Sequence, residues 1–179
     1  MKFVIASDLH GAAPAVRKLI ERIEAESPDR VLLLGDLLYH GPRNDLPEGY
    51  APKEVLAMLN AMASRIIAVR GNCDAEVDQM MLEFPCMGDY ALVFADGMRL
   101  FCTHGHVFGS GLHNSVNNMP KLPKGSAFLF GHTHIKVNER DVHNSGVWLF
   151  NPGSVSIPKD GSHSFGIFDD KTFTHRILL

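Results

Sequence analysis

Cysteine is scarce in this sequence, and the three that occur, Cys73, Cys86 and Cys102, form no C-x-x-C pair. An odd number of cysteines excludes a framework in which every one is paired in a disulfide, and it fits a reducing compartment. The cluster of thiolates that holds a structural zinc ion is absent as well. We therefore expect a cytoplasmic protein.

Long apolar runs and blocks of one charge are also missing. No stretch approaches the roughly 18 apolar residues of a membrane-spanning helix, and the apolar start at residues 3–6 is too short for a signal peptide. The net charge is −3 and no five like charges follow one another, which argues against a basic face that grips nucleic acid. The expected partners are therefore neither a membrane nor a nucleic acid duplex.

What the sequence does contain is typical of one globular domain spanning residues 1–179, with 45% hydrophobic and 21% charged residues. Strands predicted at 2–7, 31–34 and 65–69 alternate with amphipathic helices predicted at 14–26 and 52–62. In the first helix the apolar residues Val16, Leu19, Ile20 and Ile23 have helical spacing. This β-α-β-α-β order indicates a parallel sheet.

The second half is richer in strands. Tyr90–Ala95 and Met98–Thr103 flank Asp96-Gly97, a strong hairpin signal. Further strands are predicted near 128–130, 136–142 and 147–150, with a closing hairpin at 164–169 and 172–178, whereas residues 107–125 are irregular and expected to cover the site. We predict an α/β fold in which two mixed sheets pack face to face with helices outside, a four-layer α/β/β/α sandwich.

Residues that can bind metals follow the predicted strands. The apolar run Phe128–Phe130 ends at Gly131, and His132 and His134 follow; side chains at i and i+2 of an extended segment share one side, so both imidazoles can converge. Strand ends followed by such residues recur upstream, and chemistry in parallel sheets lies beyond these ends. The candidate ligands are Asp8, His10, Asp36, Asn72, His104, His132 and His134.

Seven ligands are more than one transition metal needs, but they suit two divalent ions that share a bridging carboxylate. Imidazole, carboxylate and amide oxygen together fit Mn²⁺, Fe²⁺, Co²⁺, Ni²⁺ or Zn²⁺. Two such ions would outweigh the charges of Asp8 and Asp36 and make the pocket positive towards a phosphate group. Paired metals are typical of displacement at phosphorus.

The motifs resemble those of a known family. Asp8-x-His10, Gly35-Asp36, Gly71-Asn72-x-Asp74, His104 and Gly131-His132-x-His134 are similar, in order and spacing over about residues 3–135, to the motifs of the calcineurin-like metallophosphoesterase superfamily. His40-Gly41-Pro42-Arg43-Asn44, Leu46-Pro47-Glu48-Gly49-Tyr50 and Asn151-Pro152-Gly153-Ser154 resemble the small bacterial YfcE-type phosphodiesterases. The resemblance implies a phosphodiesterase that cleaves small phosphate esters through attack of a metal-bridging hydroxide.

The resemblance also implies roles for individual residues. Asp8, His10 and His134 would hold one metal, Asn72, His104 and His132 would hold the other, and Asp36 would bridge them, with Mn²⁺ as the first choice. Asp36, Asn72, Cys73 and His104 are the catalytic candidates. Many relatives have histidine where Cys73 stands, and a thiol is a poorer proton donor to the leaving group than an imidazolium. We therefore expect a preference for diesters with good leaving groups, or help from another residue. The alternative is that Cys73 is only a small packing residue.

Other residues carry weaker signals. Arg43, His106 and Cys73 are candidates for substrate binding. Arg43 could bind phosphate oxygens in the bidentate manner that arginine favours, and the alternative is an exposed arginine without a ligand. For His106, as for His40, the alternative is a histidine that faces solvent. Asp74 either orients a ligand histidine or caps the following turn. Tyr39 is expected not to be a ligand, and His113, His143, His163 and His175 are expected at the surface.

Three rival functions remain: a non-catalytic protein-binding scaffold on the same fold, a phosphomonoesterase or nucleotidase, and a nuclease. The scaffold in this superfamily, a retromer subunit, lacks the full ligand set, whereas all seven ligand types are present here. The lack of a basic face counts against a nuclease. Whether the chain forms a homo-oligomer is left open.

Overall fold

The computed structural model describes residues 1–141 and 146–178. Within them lie three α-helices: α1 (Ala13–Glu26), α2 (Pro52–Asn60) and α3 (Glu76–Met81). The strands are β1 (Phe3–Ala6), β2 (Arg30–Leu33), β3 (Ile66–Ala68), β4 (Tyr90–Ala95), β5 (Met98–Thr103), β6 (Ala127–Leu129), β7 (Val137–Arg140), β8 (Trp148–Asn151), β9 (Ser164–Asp169) and β10 (Thr172–Ile177). Short 3₁₀ turns occupy Ala63–Arg65 and Leu112–Asn114.

The first sheet has the strand order β10-β9-β1-β2-β3. β1, β2 and β3 are parallel, as the alternation of strands and helices predicted, and Phe3 stands beside Arg30 in the register. The closing hairpin adds β9 antiparallel to β1, and β10 forms the edge. The sheet is therefore mixed.

The second sheet has the strand order β4-β5-β6-β8-β7. β5, β6 and β8 are parallel, whereas β4 and β7 run antiparallel at the two edges. Asp96 and Gly97 in the β4–β5 turn both have positive φ, which is the geometry of a type I′ turn and explains the tight hairpin. The predicted strand at 136–142 is shorter, and its last residue, Val142, lies outside the described residues, as does His143.

Apolar side chains from both sheets meet in one central core. Phe3, Leu32, Leu129, Phe150 and Phe168 belong to this cluster and are almost fully buried. Burial of this kind contributes roughly 25 cal/mol for each Å² of apolar surface. The face-to-face packing therefore holds the two sheets together.

The outer faces are covered in different ways. α1 and α2 pack on the first sheet, through Val16, Leu19 and Val55 among others. On the second sheet, Phe108, Leu112, Met119 and Leu122 of the irregular segment cover the outer face. The α/β fold with two packed mixed sheets is confirmed, and in the described part of the chain its fourth layer is this segment with one 3₁₀ turn.

α3 lies where the sequence predicted only a connection. It has six residues and buries none of them in the core, so the periodic apolar pattern of a packed helix is missing. Asp78 accepts a hydrogen bond from the Ala75 amide at 2.9 Å and so fixes the first turn. None of the helices in the described ranges combines the length and the apolar character needed to cross a membrane.

Candidate metal centre

All seven predicted ligands lie at one edge of the sandwich. The parallel strands of both sheets end there, so residues far apart in the chain become neighbours. Asp8 and His10 follow β1, Asp36 follows β2, Asn72 follows β3, His104 follows β5, and His132 and His134 follow β6.

Asp8, His10 and His134 form the tightest group. The Nε2 atoms of His10 and His134 are 3.3 Å apart. Oδ1 of Asp8 lies 3.2 Å from Nε2 of His134 and 3.8 Å from Nε2 of His10. Three donor atoms at such separations can surround one cation.

Asp36 stands between two parts of the cluster. Its Oδ2 lies 3.7 Å from Nε2 of His10 and 3.4 Å from Nε2 of His104. Nε2 of His104 is in turn 3.2 Å from Oδ1 of Asn72. The ring of His132 lies 5.1 Å from that of His104, centroid to centroid, and His132 is half-buried, whereas His10, His104 and His134 are buried.

Backbone carbonyl groups orient three of the imidazoles. Nδ1 of His10 bonds to the carbonyl of Tyr39 at 2.8 Å, Nδ1 of His104 to that of Leu34 at 2.6 Å, and Nδ1 of His134 to that of Ile157 at 2.5 Å. Since a carbonyl accepts, each Nδ1 carries the proton and donates it, and each Nε2 points into the cluster. This arrangement is usual for histidines that bind metal.

The two carboxylates are buried, and the neighbouring imidazoles keep them charged. Burial alone would raise the pKa of Asp8 and of Asp36, but His134 beside Asp8 and His104 beside Asp36 hold both pKa values below the usual range. Oδ1 of Asp8 is buried, and it has no hydrogen-bond donor when the neighbouring His134 carries its proton only on Nδ1. A buried anionic oxygen without a donor is costly and fits a bound cation.

The histidines of the cluster differ in basicity. Burial would lower the pKa of His104, but the charges of Asp36 and Asp8 raise it to about 9. Burial would also lower the pKa of His134, but the charge of Asp8 outweighs burial and raises this pKa. Burial and the nearby His104 lower the pKa of His132 and of His106 to about 4. Without metal, His104 and His134 therefore bind a proton more readily than His132 and His106 do.

Five of the seven candidate ligands have a backbone conformation that non-glycine residues rarely adopt. The φ angle lies between 45° and 66° at Asp8, His10, Asp36, His132 and His134. Such left-handed residues cost of order 1–3 kcal/mol each and concentrate at functional sites. The left-handed conformation turns the chain sharply after each strand, and the turn directs the side chains towards one point.

Two glycines allow the loops to come close enough. A Cβ at Gly71 would lie 2.1 Å from Oδ1 of Asp36, and a Cβ at Gly131 would lie 1.9 Å from Oγ of Ser7. Any larger residue would separate these loops. This is the physical reason that a glycine precedes Asn72 and His132.

Asp74 holds the loops after β2 and β3 together. Its carboxylate accepts hydrogen bonds from the amides of Asp36 (2.8 Å), Leu37 (2.8 Å) and Gly71 (2.7 Å). Burial and the charge of Asp36 nevertheless raise its pKa to about 6. These bonds match neither predicted role, since their donors are the backbone amides of Asp36, Leu37 and Gly71, not a ligand histidine or the following turn.

The segment after β8 supports the first loop. Oγ of Ser154 and Oγ of Ser156 donate to the carbonyl of Asp8 at 3.0 and 2.7 Å. Asn151 donates to the carbonyl of Gly131 at 2.9 Å. The sequence predicted a supporting turn at Gly153-Ser154, but it did not reveal Ser156.

Cys73 lies close to the metal cluster. Its amide donates to Oδ1 of Asp36 at 2.7 Å, and its Sγ and the donor atoms of His10 and Asp36 all lie within 4.8 Å of one another. The sequence named Cys73 as a catalytic and substrate-binding candidate, and the structure places its thiol beside these two candidate ligands. Burial and the charge of Asp36 raise the pKa of the Cys73 thiol far above its usual range, which makes it a weak acid.

A cavity of about 400 Å³, called the central cavity below, opens over the cluster. The candidate site residues Asp36, Asn72, Cys73, His132 and His134 line it together with Arg43, Asn44, His113, Asn114 and Lys159. Arg43 thus lies where the sequence suggested a phosphate contact. His113, Asn114 and Lys159 were not predicted at the site, because they belong to irregular segments without a motif.

The remaining histidines and Tyr39 lie outside the cluster. His106 is half-buried, with its ring 5.3 Å from that of His104 and its Nδ1 without a partner. His40 packs edge-on against Tyr39 and Tyr50. The Tyr39 side chain is exposed, and the contact of this residue with His10 is made by its carbonyl.

Two histidines expected at the surface are only half-exposed. His163 bonds to the carbonyl of Val155, and His175 bonds to that of Asn151 while stacking on Phe150. Both support the segment that holds Asp8. No local pattern marks them, since their partners are distant in the chain.

Comparisons with known proteins show the family of this chain. A model of the calcineurin-like phosphoesterase superfamily domain matches residues 1–172. Phosphodiesterase YfcE of Escherichia coli K12 is 46% identical over 171 residues, covering 95% of this chain and 88% of that protein. Phosphodiesterase MJ0936 of Methanocaldococcus jannaschii is 28% identical over 186 residues, with 100% and 99% covered. The solved structure of Yfce, described as a phosphoesterase from E. coli, aligns at a TM-score of 0.88 and 41% identity, with all of both chains covered.

Proposed function

Because the chain belongs to the calcineurin-like phosphoesterase superfamily, we propose that it is a metal-dependent phosphodiesterase that hydrolyses small phosphate esters. The observation that carries the proposal is the convergence of imidazoles on two buried carboxylates. Relatives named as phosphodiesterases support the reaction class. The complete set of ligand types favours this function over a protein-binding scaffold.

We propose two divalent ions at this centre. Asp8, His10 and His134 would hold one, Asn72, His104 and His132 would hold the other, and Asp36 would bridge them; the position of its Oδ2 between His10 and His104 supports this. When bound, the ions supply Lewis acidity at the phosphoryl oxygens and activate the attacking water. Mn²⁺ is our first choice, and Ni²⁺, Zn²⁺, Fe²⁺ and Co²⁺ suit the same donors.

The residues around the cluster would bind and orient the ester. Arg43 and Lys159 are the cations at the central cavity, and Arg43 can bind two phosphate oxygens at once. Asn72 and Cys73, which line this cavity, would position the reacting group together with His104. His106, whose ring lies 5.3 Å from that of His104, would contact the substrate. The weak acidity of Cys73 favours diesters whose leaving group needs no proton.

Three broader proposals accompany this function. Residues 1–179 form one domain, which the core shared by both sheets supports. The protein works in the cytoplasm, which three free cysteines support. Its substrate is small rather than a nucleic acid duplex, since the chain carries a net charge of −3.

The decisive experiment measures hydrolysis of matched aryl phosphate monoesters and diesters by metal-stripped protein that is titrated with Mn²⁺, Ni²⁺, Zn²⁺ and Mg²⁺. We expect metal-restored diester cleavage well above monoester cleavage. Folded protein that stays inactive with every metal would instead favour the scaffold function. Monoester cleavage above diester cleavage would favour a phosphomonoesterase.

A pair of variants completes the test. Asp36→Ala removes the proposed bridge, and we expect kcat/KM to fall more than about 100-fold, because even changes behind metal ligands cost 10–100-fold. Asp45→Ala removes an exposed carboxylate from the loop after β2 and should retain activity. Near-normal turnover in folded Asp36→Ala would refute the two-metal arrangement.

A further inference from the structure

A second cavity, an apolar groove of about 460 Å³, lies directly beside the central cavity. The loop at residues 37–51, α2 and α3 form its walls, and Cys73 lines both cavities. We propose that this groove binds a planar apolar group, such as an aryl ring, that is attached to the phosphate in the central cavity. The proposal rests on the proposed phosphodiesterase function and narrows its substrate class.

The two cavities differ in chemical character. Histidine, asparagine and cationic side chains surround the central cavity, whereas Tyr39, Tyr50, Leu56, Val77 and Met81 line the groove. The charged residues among the groove's lining are Lys53 and Asp78, one of each sign. A ligand with an anionic end and an apolar end would therefore match the pair of cavities.

The apolar wall is exposed to solvent. Val77 is 59% and Met81 is 54% exposed, and they lie four residues apart on α3, hence on the same side of the helix. α3 buries none of its residues in the core, so core packing does not explain these side chains. Clustered exposed apolar residues beside a polar cavity are typical of a ligand site.

The opposite wall is held in place by the protein itself. The ring of Tyr50 lies so close to the backbone of Gly11 that a Cβ there would be 2.6 Å from a ring carbon. The Tyr50 amide donates to the carbonyl of Pro47 at 3.1 Å, and the His40 ring packs edge-on against Tyr50. Because this wall is already ordered, binding of a ligand would cost little conformational entropy there.

Continuity between the cavities decides which occupant we propose. Cys73 lines both cavities, so the two adjoin at this residue, and a ring bonded directly to a phosphate in the central cavity lies on the side of the groove. The groove is therefore assigned to part of the substrate. A second copy of the chain is the alternative that the experiment must separate.

The test compares two non-hydrolysable anions by calorimetry on the Mn²⁺-loaded protein: phenylphosphonate and methylphosphonate. We expect the phenyl compound to bind at least about ten-fold more tightly, equivalent to about 1.4 kcal/mol. The double variant Val77→Thr, Met81→Gln keeps the side-chain shapes but makes them polar, and should bring the ratio of affinities close to one. Met80→Gln is the matched control, because Met80 is 81% exposed on α3 and does not line the groove.

Each outcome decides one of the two proposals. Equal affinities in the wild-type protein, or a preference that survives the double variant, would overturn the groove proposal even if diesters are hydrolysed. A phenyl preference in a protein that hydrolyses no phosphoester would support the groove and overturn the phosphodiesterase. Equal affinities together with a dimer that the double variant disperses would assign the groove to a second copy and overturn our assignment.

Discussion

His104 connects the charge of the metal cluster to pH. Its Nδ1 donates to the carbonyl of Leu34, and its Nε2 lies 3.4 Å from Oδ2 of Asp36, so a second proton on the ring is stabilised. That is why its pKa rises to about 9 although the ring is buried. In the metal-free protein this imidazole therefore carries a proton at neutral pH, where a metal would need its lone pair.

We predict that metal binding releases protons. His104 is protonated below pH 9 in the metal-free protein and must be neutral as a ligand, so binding of Mn²⁺ at pH 7 should release at least one proton, and affinity should increase as pH rises towards 9. Calorimetry in two buffers of different ionisation enthalpy measures the number of protons that are released for each metal ion bound. A count of zero at pH 7 would contradict the position of His104 among the ligands.

The same pKa shift has a consequence for stability. A pKa that is raised on folding, from about 6.5 to about 9, stabilises the folded metal-free protein fully below pH 6.5. This contribution is lost as pH rises from 6.5 through 9. Bound metal replaces the proton, so the metal-loaded protein should not show that loss.

At the scale of elements, the contact between the loops after β2 and β3 sets the geometry of the centre. Asp74 bonds to three amides of these loops, and Gly71 lets the two backbones touch. A methyl group at Gly71 would lie 2.2 Å from the Asp36 amide nitrogen, which is far inside contact distance. The loops cannot accommodate it without moving Asp36.

We therefore predict that Gly71→Ala weakens metal binding by about 10–100-fold, the range for changes that misplace a ligand. A lower melting temperature of the metal-free protein should accompany it. Gly88→Ala is the control, because a Cβ there meets only the Tyr90 carbonyl, at an ordinary 3.4 Å. Competition with a chelator measures the affinity, and wild-type affinity in Gly71→Ala would show that the loops adjust freely.

At the scale of the whole molecule, the core between the sheets determines whether the site exists at all. Residues that follow strands of both sheets supply the candidate ligands, so the cluster forms only when the sheets pack. Phe150 is fully buried in this core, with its ring 5.0 Å from that of Phe173. It links the second sheet to the closing hairpin of the first.

Phe150→Ala should destabilise the protein by about 3–5 kcal/mol, because it leaves a cavity in a packed core. Phe94→Ala removes the same side chain where it is 64% exposed and should change stability by less than about 1 kcal/mol. Urea unfolding of the metal-loaded protein measures both changes. A single transition is expected for one domain of residues 1–179, and two separate transitions would contradict that proposal.

Much of the fold and of the candidate site could be predicted because the signals are local. Helical spacing at Val16, Leu19 and Ile23 and the Asp96-Gly97 turn depend on neighbours in the chain, and the predicted parallel and hairpin pairings are present. α3 was missed because its apolar residues do not face the core. His163 and His175 were misjudged because their backbone partners are distant in the chain.

The sequence by itself determined the set of candidate ligands, since each of them follows a strand and a glycine precedes Asp36, Asn72 and His132. Only the tertiary structure decided what surrounds it. Residues 43, 113 and 159 meet at one cavity, and Tyr50 and Met81 meet at another, because irregular segments fold over the ends of both sheets. Their paths depend on packing between distant residues, which no local spacing in the chain encodes.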